Sequence, residues 1–260
     1  VRTRAMSMVG MSIGLTFALS LVAAPLLVSF IGMSGLFVLT GVSMLLAMFA
    51  VYKYVPDPEK STSNNRLPAL KIAFQPQLWR LNFGIFALHA AQMALFISLP
   101  FLFLQMGIAQ EAQWKVYAPM VLFGMVLMVP VIIYGEKKRK LKQTLLFAIG
   151  MMVVAQILLA TQHNVVMVMT AALVIYAIAF NVLEAILPSM VAKFAPAEQR
   201  GAAMGFYSTA QSIGLFIGGV AGGGLFSRFG FEGVFVFATA LMLIWWAIAA
   251  TGAAPKPREA

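Results

Sequence analysis

One apolar pattern occurs twice in this chain, each time in a run long enough to cross a bilayer. Residues 6–50 read MSMVGMSIGLTFALSLVAAPLLVSFIGMSGLFVLTGVSMLLAMFA, and 204–250 read MGFYSTAQSIGLFIGGVAGGGLFSRFGFEGVFVFATALMLIWWAIAA. Both carry Ser-Ile-Gly-Leu, at Ser12 to Leu15 and Ser212 to Leu215, followed by a stretch of small residues. Both then place glycines at paired positions, Gly32 with Gly230 and Gly35 with Gly233, and a phenylalanine at Phe37 or Phe235. Duplication inside apolar, helix-length segments is a mark of membrane bundles assembled from repeated halves.

Composition supports a membrane setting. The chain is 62% hydrophobic and 10% charged, against about 25% charged in a soluble domain. Its net charge of +10 sits in short loops between apolar runs, where Lys and Arg set topology. There is no basic face interleaved with aromatics for reading nucleic acid. The absence of Cys excludes disulfides, iron–sulfur clusters and Cys-ligated zinc. No phosphate loop, zinc-binding His-Glu-x-x-His or dinucleotide fingerprint occurs, so no cofactor and no metal are expected. Gly10-Met11-Ser12-Ile13-Gly14 matches a hydrolase elbow in letters alone, since it lies in an apolar helix with no strand before it.

The apolar runs predict an all-α, polytopic membrane protein with eight helices, over 6–29, 33–55, 79–104, 116–135, 143–161, 165–190, 202–226 and 231–252. They are continuous rather than alternating, which excludes a membrane barrel. With eight crossings both ends share one side. All 18 Lys and Arg except Lys115 and Arg228 fall on that side, which makes it cytoplasmic. The two copies of the repeat then stand six helices apart in one orientation. That spacing predicts a twelve-helix parent, with about four helices ahead of Val1. The domain reading follows: 1–55 as the last two helices of an N-terminal bundle, 56–77 as a Pro-rich cytoplasmic linker, 78–252 as a six-helix C-terminal bundle, and 253–260 as a cytoplasmic tail.

The stretches RTRAMSMVGMSIGLTFA, AFNVLEAILPSMVAKFAPAEQRGAAMGFYSTAQSIGLFIGG and GEKKRK resemble the major facilitator superfamily, near its bacterial drug:proton antiporter branch. The resemblance covers nearly the whole chain and implies helices five to twelve of two six-helix halves, related by an axis along the membrane normal. It implies a secondary transporter of the bacterial inner membrane that works as a monomer when full length. That branch carries Gly-x-x-x-Gly-Pro-x-x-Gly-Gly on helix five; here Pro25 is kept while Ser20, Ala24, Val28 and Ser29 stand at the glycine positions. The basic run Gly135, Lys137, Lys138, Arg139 and Lys140 is similar to a reduced second copy of the family's cytoplasmic gating loop.

Glu184 is the one acid well inside a predicted span, and intramembrane acids face a bundle interior or water. Asn181 lies three residues earlier on the same helix face. Pro188, four residues later, removes the amide that would bond the Glu184 carbonyl. Glu184 can load and release a proton, or can lock a gate through a fixed bond. Asn82, His89 and Gln92 form a polar stripe on span three, expected to wall a substrate cavity; His89 either relays protons or is a neutral side chain bonded to a neighbouring helix. In this reading Glu184 and His89 lie at different depths. Gln105, Gln156 and Gln211 read as packing contacts. Gly214, Gly218 and Gly222 form a small-residue stripe for close helix packing, with the Pro25 region as its symmetry mate.

These features favour a small-molecule transporter exporting in exchange for protons by alternating access, with the lipid bilayer as surroundings. A permease subunit of an ATP-driven complex would need a loop that grips an ATPase, and the loops are short and basic. A membrane enzyme acting on lipids would need paired acids or a His–acid dyad.

Overall fold

The computed structural model describes residues 2–56, 69–162 and 164–254, and every regular element among them is helical. The long helices are α1 (Arg2–Tyr54), α3 (Pro76–Gln105), α4 (Trp114–Lys137), α5 (Leu141–Gln162), α6 (Val166–Phe194) and α7 (Arg200–Ala250); α2 is the short Ala69–Ala73. Six of the described helices are long and apolar enough to cross a membrane. The sequence predicts eight spans because it divides α1 and α7 in two. A straight helix of 51 residues would be roughly 75 Å long, more than twice the hydrocarbon core of ~30 Å.

Both long helices are interrupted at the repeat's paired glycines. Gly32 has φ 69° and ψ 173°, and Gly230 has φ 63° and ψ −152°. That corner of backbone space is essentially reserved for glycine, because any L side chain collides with its own peptide units there. The duplicated pattern therefore carries a duplicated backbone break.

The other ends follow local chemistry. Pro76 opens α3, where its missing amide is no loss. Ala195, just before Pro196, is extended and ends α6. α4 closes on a tight basic turn in which the Lys140 amide bonds Gly135 O at 2.8 Å and Arg139 adopts φ 55°. The polar centre of the predicted linker (57–68) and the tail from 255 onward lie outside the described residues, as does the Pro25 side chain. The linker's end is helical, and Ile72 of α2 is buried in the core.

Helices α3, α5, α6 and α7 form the packed centre, with α4 laid along α6. α3 supplies the most deeply buried face, from Leu78 to Phe103. The part of α7 before Gly230 runs parallel to α3: Gly214, Gly218 and Gly222 lie against the backbones of Phe86, Ala90 and Ala94 in turn. The part after Gly230 returns along α3 and sets Trp245 over Gly84, where an added Cβ would stand 2.6 Å from the indole Nε1. Trp246 donates to Leu146 O of α5 at 3.2 Å. The apolar window of Leu26–Tyr54 in α1 is wholly unburied, and α1 touches mainly α4.

Candidate functional site

Three of the packed helices meet at a polar cluster. His89 comes from α3, Glu184 from α6 and Gln211 from α7. The approach of α3 to α7 depends on the glycine stripe, since a Cβ on Gly218 would press on the Ala90 backbone. Gln211 stands one turn before Gly214 on that face, and its amide Nε2 lies 2.8 Å from His89 Nε2. The other ring nitrogen, Nδ1, is 3.2 Å from Ile85 O.

These two contacts fix the histidine. A carbonyl oxygen only accepts, so Nδ1 carries the hydrogen. An amide nitrogen only donates, so Nε2 presents its lone pair. His89 is thus the neutral Nδ1–H tautomer in this arrangement. Glu184 Oε2 lies 3.7 Å from the same Nε2, and it is buried with no hydrogen-bond partner among the described residues. The Glu184 side chain is 34% exposed against 7% for His89, so Glu184 is the less enclosed member of the pair although its Oε2 is buried. Nε2 cannot donate to Glu184 while it accepts from Gln211. A proton arriving on either group would change the bonding of all three.

The surroundings are aromatic. Phe180, one turn before Glu184, meets His89 edge-on with ring centroids 5.8 Å apart, and Tyr176 stacks on Phe180 at 6.1 Å. The hydroxyls of Tyr176 and Tyr207 and the Asn82 oxygen are buried without a protein partner among the described residues. Tyr207 is one turn before Gln211 and within electrostatic range of Glu184.

The structure brings His89 and Glu184 together, although the sequence reading set them at different depths. The run from Pro76 to His89 and the run from Glu184 to Phe194 differ by less than one helical turn. Gln211, read as a packing contact, bonds the histidine. Asn181 is elsewhere: its amide donates to Ala177 O of its own helix at 2.7 Å, beside Gly124 of α4. Asn82 and Gln92 are half-buried on α3, and Pro188 lies within α6. Gly135 is buried against Thr144, while Lys137, Lys138, Arg139 and Lys140 are exposed.

The sequence profile of the Major Facilitator Superfamily matches this chain over residues 1–160 and again over 134–260. The chain belongs to the Major Facilitator Superfamily. Within that superfamily it is 35% identical over 255 residues to the inner membrane transport protein YajR of Escherichia coli, covering 96% of this chain and 56% of that protein. It is 26% identical over 223 residues to an uncharacterized transporter of Buchnera aphidicola from Acyrthosiphon pisum, covering 84% and 57%. A further uncharacterized transporter, from the Baizongia pistaciae strain, is 26% identical over 259 residues, covering 94% and 64%. The chain thus spans a little over half the length of the curated relatives it matches.

Proposed function

We propose that this superfamily member is part of a secondary transporter that moves a small molecule across a bacterial inner membrane, coupled to protons by exchange. The breaks at Gly32 and Gly230 divide α1 and α7 into two crossings each, which gives eight spans with both ends cytoplasmic. The first two spans belong to one bundle and the remaining six to a second. Substrate binds where the bundles face each other, and they rock around it. Asn82, His89 and Gln92 of α3 contribute to the cavity wall.

The observation that carries the coupling proposal is the Glu184–His89–Gln211 cluster. A carboxylate oxygen held 3.7 Å from a histidine lone pair forms an ion pair only once a proton enters. The proton exchanges a bond between α3 and α7 for one between α3 and α6. That couples protonation to helix packing in a setting where an uncompensated charge is costly. The His–acid pair also has the geometry asked of a membrane enzyme, but superfamily membership and the transporter names of the relatives favour transport.

The test uses full-length protein in liposomes, with ethidium uptake followed under an imposed pH gradient. Uptake is expected to follow the gradient in the native protein and to lose that dependence in Glu184→Gln. Uptake indifferent to the gradient, and equal in Glu184→Gln, removes proton coupling.

A further inference from the structure

At the end of the bundle where α3 begins and α7 finishes, a groove of about 540 Å³ opens on the outer surface. Its lining includes Phe74, Trp79, Arg80, Ala247, Ile248 and Thr251. We infer that this groove is a binding site for an anionic phospholipid, with the lipid phosphate on Arg80. The inference rests on the chain lying in a bilayer and is independent of proton coupling.

Three observations converge. First, the Arg80 charge has no carboxylate partner among the described residues. Its Nε donates to Thr251 Oγ1 at 3.1 Å and its Nη1 to Pro76 O at 2.9 Å. A guanidinium has five N–H donors, so three are left among the described residues, and no described acid lines the groove. The small cleft on the other side of Arg80 holds a second cation, Lys142, and again no acid among the described residues. Lys142 is turned toward Ala250 O at 2.8 Å, so this corner of the bundle is positive and unneutralised among the described residues. A planar guanidinium with free donors suits a phosphate, whose oxygens match its fork of N–H groups.

Second, the groove has the depth of a headgroup. Arg80 is in the second turn of α3, and Thr251 directly follows α7. Trp79 is 43% exposed and Phe74 69% exposed. A half-exposed tryptophan ring at a helix end belongs to the boundary between hydrocarbon and water. Third, the groove is mixed in the order a lipid requires. Arg80 and Thr251 are polar, whereas Ala247 and Ile248 lie further into α7 and offer an apolar wall to the first carbons of an acyl chain. Two cations without a described acid beside them favour a net-negative lipid over a zwitterionic one.

Native mass spectrometry of the full-length protein in detergent tests this, with phosphatidylglycerol, phosphatidylcholine or inorganic phosphate added. Phosphatidylglycerol is expected to be retained in preference to phosphatidylcholine. Arg80→Gln should weaken retention about tenfold, as expected for losing a charge-assisted hydrogen bond. Thr251→Val should keep the lipid, because it frees Arg80 without removing its charge. Ala247→Trp, at an exposed position, fills the groove and should release the lipid with Arg80 intact, which guards against misfolding of the Arg80 variant. The inference is overturned if Arg80→Gln and Ala247→Trp both hold phosphatidylglycerol as the native protein does. Equal retention of phosphatidylcholine, or displacement of the lipid by an equal concentration of inorganic phosphate, also overturns it.

Discussion

The contact between α3 and α7 predicts opposite effects for the same substitution at two glycines on neighbouring turns. A Cβ on Gly218 would stand 2.7 Å from Ala90 Cα and 2.8 Å from its carbonyl carbon, and backbone atoms cannot swing aside. Gly223 has nothing within 4 Å of the same added atom. Alanine gains about 1 kcal/mol over glycine in a helix interior, and this gain applies at both sites. Overpacking costs about 1–3 kcal/mol and applies only at Gly218. Gly223→Ala should therefore stabilise by up to about 1 kcal/mol, while Gly218→Ala should be about 1–3 kcal/mol less stable than Gly223→Ala. The propensity gain cancels in that difference, so it reports the packing alone. Reversible unfolding of the two variants in mixed detergent micelles, titrated with a denaturing detergent, measures it. If Gly218→Ala is as stable as Gly223→Ala, the parallel α3–α7 contact is wrong.

Gly84→Ala should expel the Trp245 ring, which is 1% exposed and packed on that position; a red-shifted and more quenchable tryptophan emission is expected, and unchanged emission refutes the packing. Gln211→Leu removes the donor to His89 Nε2 and leaves a buried acceptor unpaired, a cost of about 1–3 kcal/mol. Ring nitrogen chemical shifts should show the Nδ1–H tautomer in the native protein and a mixture in the variant. A native Nε2–H tautomer would overturn the bonding scheme.

The helices were legible because lipid requires each backbone amide to be paired within its own segment, so a long apolar run has one solution. Pro76 closes the Pro-rich linker read over 56–77 and opens α3. The breaks at Gly32 and Gly230 showed as a repeated pair of letters. The polar cluster was not legible, because its members come from three helices distant in sequence. Depth was misjudged for a physical reason. α3 has 30 residues and α6 has 29, both longer than the core they cross, so the apolar run does not fix which turn lies at mid-depth. Gln211 had one usable signal: it shares a face with Gly214, the start of the stripe that brings α7 onto α3. Asn181 shows the converse, since spacing along α6 could not reveal that its amide is satisfied by its own helix.

The two interrupted helices bear on how such a chain can change over generations. Side chains along a duplicated segment are free to diverge as each copy acquires its own neighbours. An achiral residue in a mirror-image backbone geometry has no such freedom, because every alternative amino acid carries a Cβ of the wrong hand for it. Whatever letters surround them, Gly32 and Gly230 answer the same backbone demand in both copies of the pattern.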